Sequence, residues 1–200
     1  MSEELNAKIK KQGLNKGLIL GIIMGVLKIL LFYFMTTMAT SLLGIIGGPI
    51  LFTMIIPIVI AVLLCSDLRK NVGGFWDFRQ AVSGIFVMFI VAYVVSYLLS
   101  DVLFPMVIEP DMVNKMEQAM IATMTNVMEK ANADQATIDK ALDDVHKQLD
   151  AQKNVSIGGR IQSFAIGLIF AFILALIFAA IFKKERPLYL TEDGLKEPTV

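Results

Sequence analysis

The sequence predicts an all-α polytopic membrane protein: four transmembrane helices, with an extracytoplasmic amphipathic helical hairpin between spans three and four. Three observations predict it. Hydrophobic residues make up 56% of the 200-residue chain and its mean hydropathy is +0.68, where a soluble domain carries roughly 45–50% apolar residues. Only 18% of the residues are charged. The apolar residues gather into four blocks long enough to cross a hydrocarbon core of about 30 Å as helices, and basic residues flank those blocks in a consistent pattern.

Residues 1–16 form a basic N-terminus, and residues 17–39 are span one. A cleaved signal peptide has an apolar region of about 7–15 residues. This block is longer, contains Lys28 and ends among aromatics, so it is expected to remain as a span. Gly44, Gly47 and Gly48 mark an outer turn over 40–48, with Pro49 as an early helical residue of span two, 49–66. A cytoplasmic loop over 67–80 leads to span three, 81–104. The hairpin occupies 105–160, span four 161–182, and a short polar tail with little structure 183–200.

Orientation follows from Lys and Arg near the span ends. Lys8, Lys10, Lys11 and Lys16 precede span one; Arg69, Lys70 and Arg79 lie between spans two and three; Lys183, Lys184 and Arg186 follow span four. The turn between spans one and two has no basic residue, and the segment from Asp101 to Arg160 holds ten acidic and six basic residues. Both termini are therefore expected on the cytoplasmic side of the membrane, across it from the acidic segment. Within that segment Pro110 and Asp111 start one helix and Asp134 caps a second after the Ala131–Ala133 break. Ile138, Ala141, Leu142, Val145 and Leu149 then form one apolar stripe.

Gly13, Gly17, Gly21 and Gly25 recur every four residues, a face that lets another helix approach closely in lipid. Span four carries a matching row: Ser163, Gly167, Ala171, Ala175 and Ala179. The expectation is that these two faces pack together within one molecule; a homo-oligomer through either is the rival. Lys28 lies midway along span one, where an ammonium costs about 2.5–3.5 kcal/mol. No Asp or Glu is read within any span to pair with it. Pro57 removes a backbone donor and frees the Thr53 carbonyl, so Lys28, Thr53 and Pro57 form a candidate intramembrane polar site. Lys28 there is either structural glue or a functional anion or proton site.

Met112, Met116, Met120, Met124 and Met128 are spaced by four. Thioethers suit Cu(I), but no His or Cys accompanies the row, and a packing face is the simpler reading. His146 reads as a solvated side chain. In the loop over 73–81, Phe75, Trp76 and Phe78 read as an interfacial anchor, with Asp77 and Arg79 as a local ion pair. The single cysteine, Cys65, excludes an internal disulfide, and no metal or cofactor motif is present. Zero net charge without a basic tract argues against a nucleic-acid partner.

The chain resembles a family of small bacterial four-span membrane proteins known only as a domain of unknown function. The resemblance rests on GLILG at 17–21, on Gly74, Phe78, Arg79, Ala81 and Gly84 at the start of span three, and on Glu109-Pro110-Asp111 after it. It implies an envelope location and the same topology, and it brings no activity. The spans hold no nucleophile-plus-base pattern, so the expected role is non-enzymatic: an envelope interaction or scaffold component that contacts a protein partner through residues 110–152. A small transporter or channel component built around Lys28 and Thr53 is the alternative.

Overall fold

The computed structural model describes residues 2–38, 41–153 and 156–185. The expected tail from 186 onward, and the side chain of Leu149, lie outside the described residues. Those that are described are mostly helical, with no strand among them beyond one isolated β-bridge. Span one lies in α1 (Ser2–Thr37). Span two runs through α2 (Leu42–Ile50), a π-helical turn (Leu51–Ile55) and α3 (Ile56–Asn71). Span three combines α4 (Phe78–Tyr97) with a π-helical stretch (Leu98–Ile108). The hairpin is α5 (Met112–Lys130) and α6 (Gln135–Lys153), and span four lies in α7 (Ile157–Phe182). All four are long and apolar enough to cross a membrane.

Span three is the centre of the bundle. It packs against α1 on one side and α7 on the other, and along it Ala81, Ile85, Met88, Ala92 and Ser96 are at most 1% exposed. This corrects the expected pairing of the two small-residue rows: each row meets span three, and not the other row. A Cβ added at Gly13 would stand 2.6 Å from the Gly84 carbonyl oxygen, one at Gly17 2.7 Å from that of Met88, and one at Gly21 2.8 Å from that of Ala92. At Gly25 the Leu99 Cβ would be 3.0 Å away. The four-residue steps on the two helices match, so α1 and α4 run in parallel with backbone almost against backbone, as small residues permit in lipid.

Glycine also misleads at the start of span two. The expected turn over 40–48 is helical from Leu42, where the Ser41 side chain accepts the Gly44 amide at 3.3 Å. Pro49 therefore sits inside a helix and not near its first turn. Gly48 admits the Phe34 ring, whose nearest atom would be 2.6 Å from an added Cβ. In a membrane such a glycine is a packing site before it is a turn signal.

Pro57 and Pro105 accompany π-helical hydrogen bonding, one of the ways lipid-embedded backbone adapts to a missing donor. Ahead of Pro57 the Ile56 amide donates to the Leu51 carbonyl, five residues back. Around Pro105 the stretch Leu98–Ile108 closes with Glu109 N–H to Phe104 O at 2.9 Å. An α-helix turns a four-residue row by about 40° per step. The wider turn counters that drift, so Ser96, Ser100 and Phe104 continue the buried face of span three.

At the end that carries the N-terminus, Trp76 is 2% exposed and clasps span four. Its backbone exchanges hydrogen bonds with Lys184 at 2.9 and 3.1 Å, and its Nε1 donates to the Phe182 carbonyl at 2.8 Å. The expected headgroup anchor is thus a buried joint in the protein. Asp77 is the N-cap of α4 in a reciprocal capping box with Gln80, which gives its carboxylate a role other than the expected pairing with Arg79. Trp76→Phe should lower stability by about 1 kcal/mol, the value of one hydrogen bond, read as a fall in the midpoint of detergent-solubilised unfolding. No change would mean the clasp is slack.

The hairpin rests on the ends of α1 and α2. Asn132 turns it with φ 53°, a left-handed conformation in which asparagine is enriched. Asp134 Oδ1 then accepts the Thr137 amide at 2.8 Å to cap α6. Hydrogen bonding from Thr137 holds the Asp134 carboxyl below its ordinary range. The stabilising anion is thus fully present above the ordinary carboxylate pKa and is lost as pH falls through the depressed one. Asp134→Ala should reduce amide protection at residues 136–139 by roughly fivefold, the equivalent of a lost N-cap, and should do so at pH 7; equal protection in both proteins would contradict the cap. Ile138 and Val145 are buried, at 5% and 7%, and the five methionines of α5 are half-buried on one face. His146 is exposed, as expected of a solvated side chain, and also reaches the facing helix, its Nδ1 3.1 Å from Glu117 Oε1.

Candidate functional site

The matched ladder of α1 and α4 leads directly to an ion pair. Beyond Gly25 against Leu99, Lys28 Nζ lies 3.0 Å from Asp101 Oδ2. One turn further, the Phe32 and Phe104 rings meet edge to face at 5.4 Å. The reading of Asp101 as an outer residue is corrected: it belongs to the continuous helix of span three, four residues before Pro105. By helix rise, Lys28 lies about 18 Å along α1 from Lys16. Lys16 is itself paired with Asp67 near the far end of span two.

Ser100 supports the carboxylate. Its Oγ is 2.6 Å from Asp101 Oδ2 and 2.8 Å from the Ser96 carbonyl oxygen, and its one proton serves one acceptor at a time. One turn back, the Ser96 hydroxyl is buried without a hydrogen-bond partner. The ammonium and carboxylate side chains remain 39% and 46% exposed on the protein surface. In a span that surface meets lipid, where an unpaired charge is costly. The pair therefore satisfies two groups that neither helix could carry alone.

The structure does not bring Lys28 onto Thr53. The Thr53 hydroxyl donates to the Pro49 carbonyl at 2.7 Å. Thr53 and Pro57 instead line a cleft of about 410 Å³, shared with Met24 of span one, Tyr93 of span three, and Gly167 and Ala171 of span four. Lys28 follows Met24 by one turn, just past the end of this cleft. The cleft opens where exposed Met54, Ile58 and Phe170 stand along its lining, between spans two and four. An added Cβ at Gly167 would overlap the Tyr93 hydroxyl, so this glycine seats Tyr93 against span four. Ala175, fully buried, belongs to the core.

Among the described residues no three His, Cys, Asp or Glu side chains gather into a metal-holding group. Asp101 is the site residue that sequence reasoning passed over. Its signal was present: an acid three residues inside the end of the span-three block, one turn before a proline.

Fold and site together define a helical integral membrane protein whose first and third spans are joined by an ion pair. Residues 16–184 match the family described as Protein of unknown function (DUF4199), and the chain belongs to that family. No curated protein and no solved structure matches it.

Proposed function

We propose that the protein is a non-enzymatic interaction component of a bacterial inner membrane, with both ends cytoplasmic and its hairpin offered to an envelope partner. The hairpin carries this reading. It is an extramembrane pair of helices seated on the ends of α1 and α2, and it exposes polar faces together with Val113, which is 43% exposed. The orientation is supported by the gathering of basic residues at the opposite end. There Lys16 reaches Asp67 and Lys184 pairs with Trp76, beside Arg69 and Lys70, as the positive-inside rule requires.

A photo-crosslinker at Val113 should yield one dominant adduct with another envelope protein in intact cells. Adducts only with lipid or with the same chain would oppose the proposal. Alkaline phosphatase fused after Gln152 should be active and a fusion after Asn71 inactive; the reverse pattern would invert the orientation. One observation favours the second reading, a small transporter or channel component: Lys28 and Asp101 place two charges within spans, the usual mark of an ion path. Ion flux in proteoliposomes that disappears in Asp101→Asn would select that reading.

A further inference from the structure

The cleft and the basic end of the bundle lie along one track of residues on α3 and α7. On α3, Ile58 at the mouth and Arg69 are eleven residues apart, which places them within about 20° of one face and about 16 Å apart. On α7, Ala171 in the cleft and Phe182 have the same separation and therefore the same geometry. Phe178, also in the cleft lining, stacks on Phe182 at 6.1 Å with 10° between the planes. The Arg69 guanidinium lies over the Phe182 ring, 6.0 Å from its centroid. Arg69 forms no ion pair among the described residues, whereas Lys16 and Lys28 are each paired. Exposed Lys70 follows Arg69 in the chain, and exposed Lys183 follows Phe182.

The track has the dimensions of half a membrane. About 16 Å is close to one leaflet of a hydrocarbon core of about 30 Å. An apolar cavity of roughly 150 Å³ suffices for benzene, so about 410 Å³ accommodates a longer, flexible chain. A planar, weakly hydrated guanidinium at the end of such a groove matches a phosphate. We propose that the cleft holds one acyl chain of an anionic glycerophospholipid, with its phosphate at Arg69. The occupant comes from the leaflet on the Arg69 side, and the neighbouring lysines select net negative charge.

The full chain can be titrated in detergent with phosphatidylglycerol or phosphatidylcholine of identical acyl chains, and bound lipid counted by native mass spectrometry. One phosphatidylglycerol should be retained at about fivefold the occupancy of phosphatidylcholine, the worth of one basic side chain at an anionic surface. Arg69→Gln should bring the two to parity while lipid still binds. Ala171→Phe, which fills the cleft, should lose both. Ile58→Trp at the exposed mouth supplies the same test should Ala171→Phe fail to give a monodisperse peak. Equal retention of the two lipids by the unaltered protein, an anionic preference that survives Arg69→Gln, or lipid still held by a monodisperse cleft-filled variant would each overturn the proposal. Lipid-free dimers would overturn it in favour of a second copy as occupant.

Discussion

Lys28→Met is expected to destabilise the folded bundle by about 2.5–3.5 kcal/mol, the cost of a charge left alone near the middle of a span. The damage comes from Asp101, whose short side chain is tied to Ser100 and has no length with which to reach water. Asp101→Leu should cost less, because the freed Lys28 can extend toward an interface. The double variant Lys28→Met/Asp101→Leu removes both charges and should recover most of the loss, since replacing an ion pair by apolar residues is often close to neutral. Thermal unfolding followed by size-exclusion chromatography in detergent closes this cycle. Additive losses in the double variant would show that the two side chains do not act as a pair.

The second large effect is a contrast between two glycines. Gly17→Ala should destabilise by about 1–3 kcal/mol, the range for overpacking, because the new Cβ would meet the Met88 carbonyl oxygen and the Val91 Cβ, both at 2.7 Å. Neither atom is the loose end of a flexible chain. Gly47→Ala is the same chemical change at a helical position with nothing within 4 Å, and it should stabilise by up to about 1 kcal/mol through helix propensity. Opposite signs are the expected result of paired melts. Equal and small effects would mean that α1 does not approach span three as closely as described.

The helical class and the four apolar spans were legible because lipid imposes a blunt rule: backbone polar groups must be satisfied within the segment, so long apolar blocks become helices. Asp134 as the start of α6 was legible too, since capping is local chemistry. Partnership between spans was not. Two small-residue rows, on α1 and α7, looked complementary, yet each meets a third helix whose own small residues, Ala81, Gly84 and Ala92, were hidden among larger ones. A row of glycines says that something approaches and does not say what.

The ion pair was hidden by the counting of one residue. Span three was ended near Phe104 and so held Asp101, yet Asp101 was read with the acidic outer segment, and Lys28 was left to seek a backbone carbonyl. The helix instead continues to Ile108 through π-helical turns around Pro105, and this carries Asp101 inward. Trp76 illustrates a different limit. Its ring suited a headgroup boundary as well as a protein interior, and only the return of Lys184 beside it distinguishes the two.

Disulfide trapping tests the central claim, that span three is the helix against which span one packs. In a Cys65→Ala background, Gly25→Cys/Leu99→Cys joins positions whose Cβ atoms would be 3.0 Å apart, within easy reach of a bridge after slight adjustment. Oxidation in native membranes should give rapid, near-complete intramolecular crosslinking for this pair and little for Gly25→Cys/Gly167→Cys. Efficient crosslinking of span one to Gly167→Cys, with none to Leu99→Cys, would contradict the arrangement and the ion pair that depends on it.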